Sequence, residues 1–197
     1  MPRLPAAERK AALVDAAIVV FAAEGYQAST MDAVAAEAGV TKPVLYQHFP
    51  SKHELFLHLL SDVADRMRSN VVEAVSAAAT PYEQVQFGFR AYFDFVSSHP
   101  DQFRLLFGEG VRIDDTFSRE VHQLEHEIAA VIAGLITIDG ASPLARMTLA
   151  HGIVGLAEAT GRYWALGADG LDLDTMTVLV TELAWRGLRG RREGVID

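Results

Sequence analysis

The chain has 197 residues, of which 50% are hydrophobic and 22% charged, with no cysteine and a formal net charge of -9. This is globular composition, so disordered and fibrous classes are excluded. Without cysteine there is no disulfide framework, thiolate nucleophile or cysteine-ligated metal; packing alone must hold the fold, which suits a reducing cytoplasm.

Helix start and stop signals recur along the chain, while strand signals are nearly missing. Leu13, Ala16, Ala17, Val20 and Phe21 follow the spacing of an amphipathic helix, which Gly25 stops. Arg9-Lys10 followed by Ala11 to Ala23 superficially resembles a signal peptide. Asp15 interrupts the run and no processing site follows it, so that reading is rejected. No uninterrupted apolar run approaches the roughly 18 residues that span a bilayer, and no membrane partner is expected.

Thr30 is the N-cap of a short helix carrying Met31, Val34, Ala35 and Ala38, which Gly39 ends. Thr41 caps a third helix with Pro43 in its first turn, where a missing N–H is harmless. Ser51 and Glu54 form a capping box opening a long helix to about Ser76; Thr80, Pro81 and Glu83 open the next, which breaks at His99-Pro100. A short helix near Phe103 to Phe107 follows. Asp114 or Asp115 opens another to about Ile136, Ser142-Pro143 one to near Gly167, and Asp172 or Asp174 the last. The expected fold is all-α with about nine helices: a helix-turn-helix head over residues 1–55 and a larger ligand-binding and dimerisation domain over 56–197.

Two short helices joined through Gly39-Val40, behind a supporting first helix, are what a DNA-binding helix-turn-helix requires. Phe21, Val34, Val40, Leu45 and Phe49 are spaced to form its hub. Charge is distributed compatibly: five positives (Arg3, Arg9, Lys10, Lys42, Lys52) against six negatives leave the first 55 residues at -1 of the total -9. Local phosphate contacts fit this; a surface that grips any polyanion does not. On the third helix Thr41, Lys42, Tyr46, Gln47 and His48 all carry hydrogen-bonding groups and none is acidic. Thr30, Tyr46, His48 and Lys52 are the candidate phosphate contacts, and Gln47 and Lys42 the candidate base readers. Lys52 stands in the first turn of a helix, where the macrodipole disfavours a cation, and a phosphate would remove that conflict. Arg3 is a further candidate on an N-terminal arm.

The stretch from Thr30 to Leu55, TMDAVAAEAGVTKPVLYQHFPSKHEL, resembles the signature of the TetR/AcrR family of bacterial regulators over about the first quarter of the chain. The resemblance implies a phosphate-contacting cap at Thr30, a backbone-contacting pair at Tyr46 and His48, and the lysine that starts the fourth helix at Lys52. Pro43 stands where many members have glycine, which alters the local surface. It also implies a ligand-responsive transcriptional regulator, in the usual direction a repressor, which binds a (pseudo)palindromic operator as a homodimer and is released by a small molecule. The two heads would meet half-sites about 34–36 Å apart, or a multiple of that.

The body must be read mainly from its own residues. The last two helices look apolar on more than one side, so a second copy is the economical cover. Met147, Gly152, Gly155, Ala159, Leu179 and Leu183 are the dimer-interface candidates. The aromatic helices from Pro81 to Phe107 suggest a plain core or the lining for an apolar or amphipathic effector. Phe89, Phe93, Phe107, Tyr163 and Trp164 are the lining candidates. The fourth helix, beginning in the head and ending in the body, is the natural lever between them. No cofactor, metal or catalytic residue is expected. His122 and His126, one helical turn apart, have the spacing of a metal-binding pair, for which His151 is the candidate third partner. Two rival readings stay open: a metal-dependent helical-bundle enzyme using His122, His126 and Glu125, and a helical interaction module without DNA binding.

Overall fold

The computed structural model describes residues 6–108, 111, 114–138, 140–167 and 170–189. Arg3, and the Arg191-Arg192 pair near the C-terminus, lie outside them. The described residues hold nine helices and no strand: α1 (Ala6–Ala28), α2 (Met31–Glu37), α3 (Lys42–His48), α4 (Lys52–Ser76), α5 (Pro81–Ser98), α6 (Pro100–Phe107), α7 (Asp115–Leu135), α8 (Pro143–Ala165) and α9 (Leu173–Arg189).

The starts follow the capping chemistry. Thr30 accepts from the Ala33 N–H and Ser51 from that of Glu54, each at 3.1 Å. Thr80 and Glu83 complete a reciprocal box around the first turn of α5. The Asp114 carboxylate accepts from the Thr116 N–H at 2.7 Å, Ser142 from Ala145 at 3.1 Å, and Asp172 from Thr175 at 2.7 Å. One stop is softer than expected. Gly25 takes φ 76°, yet the chain coils for one more turn and α1 reaches Ala28.

The chain forms two compact units: Met1–Ala64 with Asp101–Val121, and Asp65–Pro100 with His122–Asp197. In the first, α1 packs on α2 and α2 on α3, with Leu13, Ala17, Phe21, Val34, Leu45 and Phe49 all buried and Val40 half-buried at the turn. Full burial of each large apolar side chain contributes about 1.5–3 kcal/mol. By length and composition the Glu8–Ala28 helix is apolar enough to cross a membrane, and this core is where its apolar side goes. Phe56 meets Phe21 edge-on at 5.1 Å, and Phe117 of α7 packs on Phe56 at 4.7 Å and on Tyr26 at 5.0 Å.

In the second unit α5 packs along α9 and against α8. Tyr82 donates to Glu182 at 3.0 Å and meets Trp185 edge-on, and Arg90 pairs with Asp174. Gly161, buried in α8, faces the Tyr92 ring so closely that a Cβ there would lie 2.6 Å from Oη. Ala129, Ala133 and Ala150 form a small core where α7 meets α8, with Met147 and Val154 packed on it. Met147, a dimer-interface candidate by sequence, thus faces its own chain.

Candidate nucleic-acid interface

Thr30 extends into α2, and after the Gly39 turn (φ 64°) Thr41 extends into α3. One glycine suffices because a single residue in left-handed geometry reverses the chain between the helices. Leu45 and Phe49 bury one side of α3, which leaves Thr41, Lys42, Pro43, Tyr46 and Gln47 exposed and His48 half-buried. The Thr41 hydroxyl makes no capping bond, so it faces outward uncommitted to its own helix. Tyr46 is 41% exposed. This is a short polar ridge beside the exposed N-terminus of α2, where Thr30 also stands.

Two lysines on this side have partners that the sequence did not reveal. The Lys42 ammonium sits 2.8 Å from the Asp32 carboxylate and 6.0 Å from the Tyr46 ring centroid. Its hydrogen bond to Asp32, and then the carboxylate's charge, raise its pKa. Lys52 turns away from the α3 ridge. Its ammonium donates to the carbonyls of Tyr26 at 2.7 Å, Gln27 at 3.2 Å and Ser29 at 2.9 Å, beneath the Tyr26 ring. An ammonium has three donors, and these carbonyls occupy all of them. The cation that looked misplaced at the start of α4 thus closes the C-terminal end of α1, where the macrodipole favours it. The expectation that phosphate relieves its position meets an internal partner instead.

Sequence reasoning also missed the attachment of α7 to the head. His53 stacks on Phe117 at 4.8 Å, with Nε2 3.4 Å from an Asp114 oxygen. The backbone N–H of Thr116 holds the Asp114 pKa down, and burial, then the Asp114 charge, pushes that of Tyr26 up. No periodicity signals a contact more than 60 residues away; an aromatic in the first turn of α7 reads simply as core.

In the second unit Phe89 and Phe93 stack at 6.1 Å, and Phe93 meets the Trp164 ring edge-on at 5.9 Å. The Trp164 indole donates to the Leu171 carbonyl at 2.8 Å, so its N–H holds the loop between α8 and α9. Phe107, in the first unit, packs on Phe103 at 4.9 Å. Tyr163 departs from the lining expectation. At 66% exposed it points away from Trp164, because neighbouring helical positions differ by about 100° around the axis. It falls instead on an outward stripe of α8 with Leu144 (77% exposed), Gly152, Gly155 and Ala159, and Leu166 (85%) just past the helix end. Val178, Leu179 and Leu183 (61%) are exposed on α9.

Around Tyr92, which meets Phe93 edge-on at 5.4 Å, lies a polar group of Glu125, Glu158 and Arg162. Arg162 pairs with Glu158, while burial and then the Glu158 charge raise the Glu125 pKa. His126 and His151 bring their rings to 5.6 Å. Among the described residues no three His, Cys, Asp or Glu side chains group as a metal site, so the pair gains no third ligand there.

Residues 13–59 match the family model for bacterial regulatory proteins of the tetR family, and residues 81–187 that for the tetracyclin repressor-like C-terminal domain. The HTH-type transcriptional activator FasR of Mycolicibacterium smegmatis is 34% identical over 188 residues, covering 94% of this chain and 85% of FasR. The HTH-type transcriptional repressor KstR2 of Mycobacterium tuberculosis is 31% identical over 105 residues, about half of each chain (53% and 52%). Among solved structures, a TetR-like regulator from Rhodococcus sp. RHA1 aligns with TM-score 0.80 at 29% identity, over 96% of this chain and all of that one. Bacillus subtilis FadR in complex with stearoyl-CoA aligns with TM-score 0.77 at 18% identity, over 88% of this chain and 96% of its own.

Proposed function

The chain belongs to the TetR family of bacterial regulatory proteins, and from that premise we propose that it is a cytoplasmic, homodimeric regulator that binds an operator through α3 and changes affinity when a small molecule occupies its body. The observation that carries this is the outward ridge of Thr41, Lys42, Tyr46, Gln47 and His48 on a helix anchored from behind by Leu45 and Phe49. A helix docks in the major groove with polar side chains outward and its own core behind it. Thr30, Thr41, Tyr46 and His48 take the phosphate contacts, and Gln47 and Lys42 the base edges. Residues 1–55 act as the DNA-binding domain and 56–197 as the sensing and dimerising one.

Dimerisation is supported by the α8 and α9 stripes. Leu144, Tyr163, Leu166, Val178, Leu179 and Leu183 are large apolar side chains left exposed on or beside α8 and α9, and exposed apolar surface of this kind is where a partner docks. Gly152 and Gly155, around which an added Cβ would meet nothing in this chain, permit a second helix to approach closely. A second copy buries all of these at once, and its two-fold symmetry matches a palindromic operator.

For the effector, the buried Phe89 and Phe93 with the half-buried Trp164 favour an apolar chain, with the Glu125, Glu158 and Arg162 group as the polar neighbour. Stearoyl-CoA, held by the Bacillus subtilis neighbour, is the first compound to test. The ligand must bind the two states of the protein unequally. Helix α4, whose residues fall in both units, is one covalent route for that difference. Repression relieved by ligand is the working direction; FasR carries the opposite label, so the sign is read at the promoter. Selection of duplexes from a random pool by the full-length protein, followed by binding with and without stearoyl-CoA, tests the reading. A selected sequence released by ligand supports it, and a protein that enriches no sequence overturns it.

A further inference from the structure

Resting on the DNA-binding reading, the pairing of Asp32 with Lys42 supports a step beyond it. Asp32 lies in the first turn of α2, two residues after Thr30, and Lys42 is the first residue of α3. Their side chains are 66% and 53% exposed, so the 2.8 Å contact is a surface ion pair. Such pairs add about 0–1 kcal/mol to stability, too little for this one to be read as a fold-holding device. Its placement is more telling. A carboxylate on a surface that approaches phosphate is repelled unless it keeps a cation of its own. Conversely, a lysine that keeps its carboxylate releases no DNA counterion on binding, and counterion release is the source of sequence-independent affinity. The same ammonium lies over the Tyr46 ring, one turn along α3, so the pair fixes its direction as well as its charge.

We propose that Asp32 is a specificity-determining residue, which holds Lys42 along α3 and withholds it from the phosphate backbone. The head thereby gives up affinity for arbitrary DNA. Discrimination then rests on the base-edge contacts of α3, because specificity is a difference between two affinities and lowering the wrong one raises it.

The test uses the full-length protein and two duplexes: one enriched from a random pool by the wild type, and one unselected duplex of equal length. Binding is followed by fluorescence anisotropy over a range of NaCl concentrations. Asp32→Asn is expected to tighten binding to the unselected duplex more than to the selected one. It should also steepen the plot of log K against log salt by about 0.9 for each head, the value of one added phosphate contact. Adding Lys42→Ala to that variant should return the slope to the wild-type value. Asp32→Ser, read on the same axes, repeats the test with a side chain that suits a helix first turn.

An unchanged slope in both single variants overturns the proposal. So does a steeper slope that survives loss of Lys42, since the carboxylate would then act by repulsion alone. Failure of the underlying reading looks different: the wild type itself would enrich no sequence and show no salt dependence, and the proposal would fall with it.

Discussion

The Lys52 ammonium lies 4.6 Å from the Tyr26 ring centroid and donates to the Tyr26 carbonyl at 2.7 Å, so one side chain of α4 closes the end of α1. Hydrogen bonds from a charged donor contribute about 1.5–3 kcal/mol each when measured singly, and three share this cation. Lys52→Met should lower unfolding free energy by roughly 2–3 kcal/mol in urea melts. The salt slope of DNA binding should stay at its wild-type value; a loss of about 0.9 per head would instead place Lys52 on a phosphate.

Tyr46 and Gln47 are adjacent on α3 and both exposed, yet different losses are expected. Tyr46→Ala should weaken selected and unselected duplexes by similar factors. Gln47→Ala should cost about 1–3 kcal/mol on the selected duplex alone and relax preference at one base position. Equal losses on both duplexes for Gln47→Ala would move it to the backbone contacts.

Leu183 is the clearest probe of the exposed stripe, being large, apolar and 61% exposed on α9. Leu183→Glu should leave the helical circular dichroism signal intact and raise the dimer dissociation constant by about 2 kcal/mol or more, near thirtyfold, in sedimentation equilibrium. A dimer of unaltered strength would place the interface elsewhere.

Gly161 and Tyr92 predict a steric penalty. A methyl group at position 161 would meet Tyr92 Oη at 2.6 Å and Cε1 at 2.8 Å, so the ring must move. Gly161→Ala should destabilise by about 1–3 kcal/mol in thermal or urea melts. In a Tyr92→Leu background the added cost should largely vanish, and a cost that persists would point to the α8 backbone instead.

Glu125 sets a pH dependence. Burial, and then the Glu158 charge, raises its pKa above the ordinary glutamate value of 4.5, while His122 and Arg162 pull the other way. The native state therefore holds a proton that the unfolded chain releases, and unfolding free energy falls as pH rises from about 4.5 through the native pKa. Glu125→Gln should melt at a higher temperature than wild type at neutral pH, with the difference closing below about pH 4.5. An equal difference at both ends would assign the effect to packing rather than to ionisation.

Much of the architecture was legible because its causes are local. Caps such as Thr30, Thr80 and Ser142 act within four residues of themselves, and the apolar spacing around Phe21 or Leu45 repeats every turn, so helix number, order and starts follow from the chain. The outward ridge of α3 was legible for the same reason: once Leu45 and Phe49 face inward, Tyr46 and Gln47 face out.

Partnership was not legible. The residues showed an awkward charge at Lys52 but not the Tyr26, Gln27 and Ser29 carbonyls, a donor at Lys42 but not Asp32, and set Tyr163 beside Trp164 although the helix turns one outward and the other in. The residues alone thus determined which segments coil and which side of each is apolar, since those depend on neighbours a few positions away. Only the tertiary structure decided which charge meets which carbonyl or carboxylate, because such contacts join residues distant in the chain and depend on how the helices are turned against one another.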